Sequence, residues 1–471
     1  MATYKITSGT ASSPFILPSK IDSATTFEQS TAGADTLTVD ADAFLISTGA
    51  YGALLGETKA GAWTVSIAGQ IFGHNTGLSI TATTGKVTVT ADGSISSDEG
   101  GLSYSGNSFT LSNSGIISGG SFGPAVSFSA LTSKIDNFGD MVGDVVNYAG
   151  ASNDTFTNSG EISGSVLLSH GTNKVTNSGE IGGMVGLGDG ADTVTNTGYI
   201  GNEVYLGSGI NSLTNSKSAS IGVDGNNLSI NGGNLDDKIS NDGTMGGTVY
   251  LQDGTNSLNN TGSVGGDNES NLSYIGGSGK DTVTNKGSMS GGIHVGTGSN
   301  SVDNTGHVGG FSGGGLSNVS VLSSSGPTVT TNTIKNSKTF DGGVVLESGT
   351  NSLTNSGFIG MDGGNQTSYL AFDGDDTVIN SATGAMAGGV VVGKGNNSLN
   401  NAGEIGYDME GWSYYAYDIG TDKVTNTKRL FGAVSLGDGS NSLTNSGSIG
   451  KAILSQVWSE PLGLDQRCAS N

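Results

Sequence analysis

The chain has 471 residues with 83 glycines, 5 prolines and only 34% apolar residues; that is too polar for several large globular cores, and it lacks the three-residue period of collagen. Its 41 acidic residues against 18 basic ones leave a net charge of −23, which disfavours nucleic acid and anionic membrane as partners and favours solubility and cations. The lone cysteine, Cys468, excludes an internal disulfide.

In chain order, residues 1–60 lack the repeat that follows and are read as an N-terminal cap over the open end of a stack. Their first stretch, MATYKITSGTASSPFILPSK, has no basic segment followed by a continuous apolar run. No cleaved secretory leader is read there, so export is expected by another route. AFLISTGAYGALLG at 43–56 is too short and too broken to cross a bilayer, and no membrane insertion is expected.

From residue 61 to 455 the chain repeats itself. Taking the apolar residue of DTV or NSL as an anchor, eighteen units run from Val65, Val89 and Leu111 to Leu443, most of them 19 or 25 residues apart. An asparagine follows two residues later in sixteen consecutive units, from Asn113 to Asn445. Glycine, an isoleucine-like residue and a second apolar strand such as EVYL or GVVL usually complete each unit. Alternation within TVTNTGYI has the period of a strand. A unit of this size cannot bury its own apolar face, so neighbours must stack.

The predicted fold is therefore all-β: a single right-handed parallel β-helix of about 18 coils, on the order of 85 Å long at ~4.8 Å per coil. A four-stranded propeller blade has the length of the 19-plus-25 super-period, but its strands are unlike one another, whereas here both halves repeat the same pattern. In a stack the asparagines pile up, each able to hydrogen bond to the next. An internal ladder is expected through Asn177, Asn196, Asn215, Asn241, Asn260, Asn285 and Asn304, in preference to a column of exposed turn residues.

Longer units insert about six residues at one place, as in GVDGNN (222–227), GGDNES (265–270), GMDGGN (360–365) and GYDMEG (406–411), with a longer insertion at 309–320. These loops fall on alternate coils and are candidate binding loops. The residues singled out are Asp224, Asp267, Asp362, Asp408, Trp412, Tyr414 and Tyr415, facing a surface glycan or protein partner. The plainer reading is of tolerated insertions. Residues 456–471 match no coil and form a non-repeat tail.

GGSGKDTVT (276–284) matches the nonapeptide G-G-x-G-x-D-x-U-x, and GDGADTV, GGNLDDKI and FDGDDTV match it in part. These stretches resemble the calcium-binding repeat-in-toxin family. The resemblance implies calcium at Asp192, Asp237, Asp281 and Asp376, carried by glycine carbonyls and carboxylates. Here one such motif occurs per coil instead of a tandem run, and Asp alternates with Asn. The alternative is a glycine turn whose Asp or Asn caps the following strand.

The style of the chain over roughly 60–450 is also similar to the β-helical passenger repeats of bacterial autotransporters and surface adhesins. That resemblance implies an extracellular or cell-surface rod, structural or adhesive, with end-to-end self-association as a further option. A polysaccharide lyase or hydrolase is the enzymatic alternative. It needs paired carboxylates in a groove, and the four histidines and few basic residues show no such grouping. No enzyme is expected.

Overall fold

The computed structural model describes residues 1–450 apart from 9–15, 19, 23, 31–32, 57–59, 122, 225–227, 266–271, 314–315, 325–329, 362–365, 407–410 and 418. Every regular element among them is a strand. Each coil contributes one strand to each of three parallel sheets. In the anchor sheet Thr193–Asn196 lies between Lys174–Asn177 and Asn211–Asn215. In the second sheet the two-residue strand Tyr199–Ile200 lies between Glu180–Ile181 and Ser220–Ile221. In the third, Val204–Gly207 lies between Val185–Gly186 and Leu228–Gly232. The chain is a parallel β-solenoid.

The register explains the repetition. Val175, Val194 and Leu213 are successive Cα partners, as are Asn177, Asn196 and Asn215. A one-residue slip would turn every apolar anchor outward. The core is one continuous cluster along the axis, made of single columns such as Ile181, Ile200 and Ile221, all fully buried. It is thin because three short sheets enclose only a few side chains per coil, which is how 34% apolar residues suffice.

The coils begin earlier than the sequence pattern indicated. Ala34–Val39, Phe44–Ser47 and Tyr51–Leu55, expected inside a separate cap, join the same three sheets. Thr3–Thr7 pairs with Ala34–Val39 on one side and with Ile16–Pro18 on the other. Counting anchor-sheet strands from Thr3–Thr7 to Ser442–Asn445 gives twenty coils instead of eighteen, ~90 Å of rod.

The reason lies in one column. Ile6, Val39, Ile67 and Val89 occupy the position that Asn113 takes in the next coil. The first four coils fill it with apolar side chains, and the two of them that precede Val65 fall outside the pattern read from the sequence. Val89 is thus in the ladder column, and Val87 is the anchor paired with Leu111. The tail at 456–471 lies outside the described residues.

At this end the core is aromatic. Tyr104 stacks on Phe109 at 4.7 Å, and its buried hydroxyl donates toward Ala82 O (2.9 Å) and Ser108 O (2.8 Å). Tyr104→Phe keeps the stack but leaves those carbonyls without this donor. Removing one such hydrogen bond costs about 1–3 kcal/mol. Chemical denaturation should show that loss with an unchanged m-value.

Candidate functional site

Two polar columns run inside the rod. The first is the asparagine ladder. Asn196 Nδ2 donates to Asn215 Oδ1 (2.9 Å), and reaches Gly198 O in its own turn (3.2 Å) and Ser220 O of the next coil (3.1 Å). The same amide-to-amide bond links all sixteen asparagines from Asn113 to Asn445 at 2.8–2.9 Å. It holds whether the coil between them is short or carries an insertion. Asn177, Asn196, Asn215, Asn241, Asn260, Asn285 and Asn304 are all fully buried.

The second column is the position where Asp and Asn alternate from coil to coil, turned into the rod. Asp192, Asp237, Asp281 and Asp376 point inward and are 1–2% exposed. They stack with the asparagines of the alternate coils. Asn173 N–H donates to Asp192 Oδ1 (2.7 Å), and Asp192 N–H donates to Asn211 Oδ1 (3.0 Å). Asn211 Nδ2 then donates to Asp237 Oδ1 (2.9 Å), and Asp237 N–H to Asn256 Oδ1 (3.0 Å). The pattern continues through Asn256 N–H to Asp281 Oδ1 (3.3 Å) and Asn351 Nδ2 to Asp376 Oδ1 (2.9 Å).

The side-chain oxygen thus serves as an acceptor that ties one coil to the preceding one. Among the described residues, no three His, Cys, Asp or Glu side chains gather into a metal-holding group. The four aspartates named in the sequence are brought into one column but not into a common cage.

In each of these four carboxyls Oδ1 takes the coil-to-coil hydrogen bond, while Oδ2 is shut off from solvent. The Tyr274 hydroxyl acts on Asp281, the Tyr369 hydroxyl on Asp376 and the Gly233 N–H on Asp237. Burial pushes all four acids up to about 7, with hydrogen bonds from the neighbouring asparagine pulling the other way. Asp154, at the start of the column, differs. Its Oδ1 accepts from Ser133 Oγ, and its Oδ2 from Asn147 Nδ2 and Ser152 Oγ.

The insertion loops all leave the rod at one corner, between the second and third sheets. Their roots follow Ser220–Ile221, Ser263–Val264, His307–Val308, Phe358–Ile359 and Glu404–Ile405, on every second coil. A serine just inside each third-sheet strand holds the root: Ser229, Ser273, Ser320, Ser368 and Ser413, all 0% exposed. Ser413 Oγ donates to Ile405 O (3.0 Å) and accepts Gly432 N–H from the next coil (2.7 Å). Ser229, Ser273, Ser320 and Ser368 accept the matching N–H in the same way. The serine recurs in LSI, LSY, VSV, TSY and WSY, a signal available in the sequence but hidden by the chain's general richness in serine.

Of the loop acids, Asp224 is exposed at its corner, within reach of the Tyr199 hydroxyl. Asp267, Asp362 and Asp408 lie outside the described residues. The aromatic group splits at an irregularity in the strand between Trp412 and Tyr414, which leaves Trp412 on the same side as Tyr415. Tyr414 faces the core at 1% exposure, so it is no part of an outer surface. Trp412 and Tyr417 are exposed and Tyr415 is half-buried. Their rings follow one another across the outer face, 5.3 Å from Trp412 to Tyr415 and 6.0 Å from Tyr415 to Tyr417. The strand on the far side places only Ala433 and Ser435 against them.

Comparison with protein-family models, with curated proteins and with solved structures finds no match to this chain.

Proposed function

We propose that the chain is an extracellular structural or adhesive rod, of the kind bacterial surfaces carry, that presents its loop corner and the neighbouring aromatic strip to a surface glycan. The observation that carries this reading is the repeated serine-held root. Five loops spring from one corner of a laddered scaffold at a spacing of two coils, ~10 Å. Loops on a rigid frame suit binding, and repeating them along one edge suits weak contacts that add up. The strip of Trp412, Tyr415 and Tyr417 offers flat apolar faces with polar edges, suited to the C–H faces of pyranose rings.

The test is retention on immobilised glycans and on bacterial or host surface preparations. Wild-type rod should be retained, and the triple variant Trp412→Ala, Tyr415→Ala, Tyr417→Ala should bind at least about tenfold more weakly, the loss of a central aromatic anchor. Equal retention of the triple variant, or no retention of wild type on any glycan, overturns the proposal.

A further inference from the structure

We infer that the ligand of the aromatic strip is a single, soluble, uncharged glycan chain with equatorial linkages, three of whose consecutive sugars lie across the rod on Trp412, Tyr415 and Tyr417; this rests on the glycan-binding reading above.

The strip is a line, and it runs across the rod. Its rings stand on the strand Trp412–Ala416 and the residue after it, and strands of the third sheet cross the rod axis. The ring centroids follow one another at 5.3 Å and 6.0 Å, distances of the order of one pyranose unit. A ligand that uses all three rings therefore has sugars in a row. The strip is also narrow. Val391 pairs with Tyr415 on one side, and Ala433 and Ser435 face Trp412 and Tyr415 on the other. The platform is one ring wide, the width of one sugar chain.

The rings do not share a plane. Trp412 and Tyr415 are inclined to each other at 45°, and Tyr415 and Tyr417 at 33°. Stacking needs the C–H face of a sugar to lie flat on its ring. A crystalline polysaccharide presents its sugars in one plane and can lie flat on only one of these rings at a time. A dissolved chain turns about its glycosidic bonds and meets each ring at that ring's own angle. Equatorial linkages keep such a chain extended along the line and leave the sugar faces open. Axial linkages curl it away.

The frame holds those angles before a ligand arrives. Ser413, next to Trp412, is fully buried and bonded to Ile405 O and Gly432 N–H, and Tyr414 is set in the core. A strand fixed in this way spends little on ordering when it binds. Charge narrows the ligand further. The strand Trp412–Ala416 carries no charged residue, and its outward neighbours Val391, Ala433 and Ser435 are neutral. An acidic polysaccharide finds no cation among them and must approach a chain of net charge −23. Repulsion therefore selects against uronate and sulfate groups, whereas an uncharged chain meets no such penalty.

The experiment titrates the full chain by calorimetry with soluble β-1,4-linked oligomers of glucose, mannose, xylose and N-acetylglucosamine, from one sugar to six. Retention on crystalline cellulose and titration with oligogalacturonate run beside it. For at least one neutral series, each sugar up to the third should tighten binding by about threefold to tenfold, with no further gain beyond. Trp412→Ala and Tyr417→Ala, whose rings lie outside the core, should each keep the wild-type affinity for the disaccharide and lose the step from two sugars to three. Trp412→Phe, which keeps a ring there, should regain part of that step.

Preference for crystalline cellulose or for oligogalacturonate overturns this inference and leaves glycan binding in place. So do neutral oligomers held no better at three sugars than at one, or end-ring variants that keep the third-sugar step. Absence of binding to every glycan removes the proposed function itself, and this inference falls with it.

Discussion

Replacing Asn241 by Leu should destabilise the rod by at least about 3 kcal/mol, because two or three buried groups are stranded at about 1–3 kcal/mol each. Leucine has nearly the same bulk, so packing in the column survives. The bonds do not. Asn241 Nδ2 serves Asn260 Oδ1 (2.8 Å), Ser263 O (3.0 Å) and Gly243 O (3.3 Å), and its Oδ1 accepts from Asn215 Nδ2 (2.9 Å). Leucine leaves an amide below and an amide above without their neighbour. In a solenoid each coil contacts mainly the next, so a weak mid-rod coil should also divide the melt into two steps. Differential scanning calorimetry reads both effects. Val89→Asn is the informative contrast. It extends the ladder by one rung beside Asn113, where a partner amide already stands, and should cost markedly less.

Gly279→Ala should be comparably damaging for a different reason. Gly279 turns the chain from the third sheet into the anchor sheet at φ +137°, and a Cβ there would fall 1.9 Å from Gly254 O in the coil before. Holding a non-glycine residue in such a conformation costs about 1–3 kcal/mol. The clash with a backbone carbonyl adds to that, because relieving it must shift the coil-to-coil step itself. A loss of at least about 3 kcal/mol is expected in equilibrium unfolding. Gly186→Ala supplies the comparison. Its Cβ would meet only Leu167 Cδ2 at 3.2 Å and Met184 Cε at 3.8 Å, the ends of movable side chains, and stability should stay within about 0.5 kcal/mol.

Much of this fold was readable from spacing alone. Asn177, Asn196 and Asn215 stand 19 residues apart because a coil returns to its start, and the inward ladder followed from that return. The insertions were readable as one corner of the rod for the same reason. The first two coils were not, because Ile6 and Val39 fill the ladder position with residues that do not stand out in a strand. The direction of the aspartates was in fact encoded. In DTVTN, Asp192 is two residues from Val194 and four from Asn196, so the alternation that buries one buries all three. Likeness to calcium-binding turns drew attention to the glycines before it, which do make the turn, and away from the strand that Asp192 precedes. Tyr414 was misplaced in the same manner. The four aromatics in WSYYAY look like one exposed group, yet Tyr414 turns into the core while its neighbour Tyr415 faces outward.

Everything rests on coils stacked in register, and a crystallographic or electron cryomicroscopy map at side-chain resolution tests that most directly. The account requires the amides of Asn177, Asn196 and Asn215 in a single internal column at steps of ~4.8 Å, with Asp192 in a second column between Asn173 and Asn211. A map that scatters those asparagines over separate sites, or turns them to solvent, contradicts it.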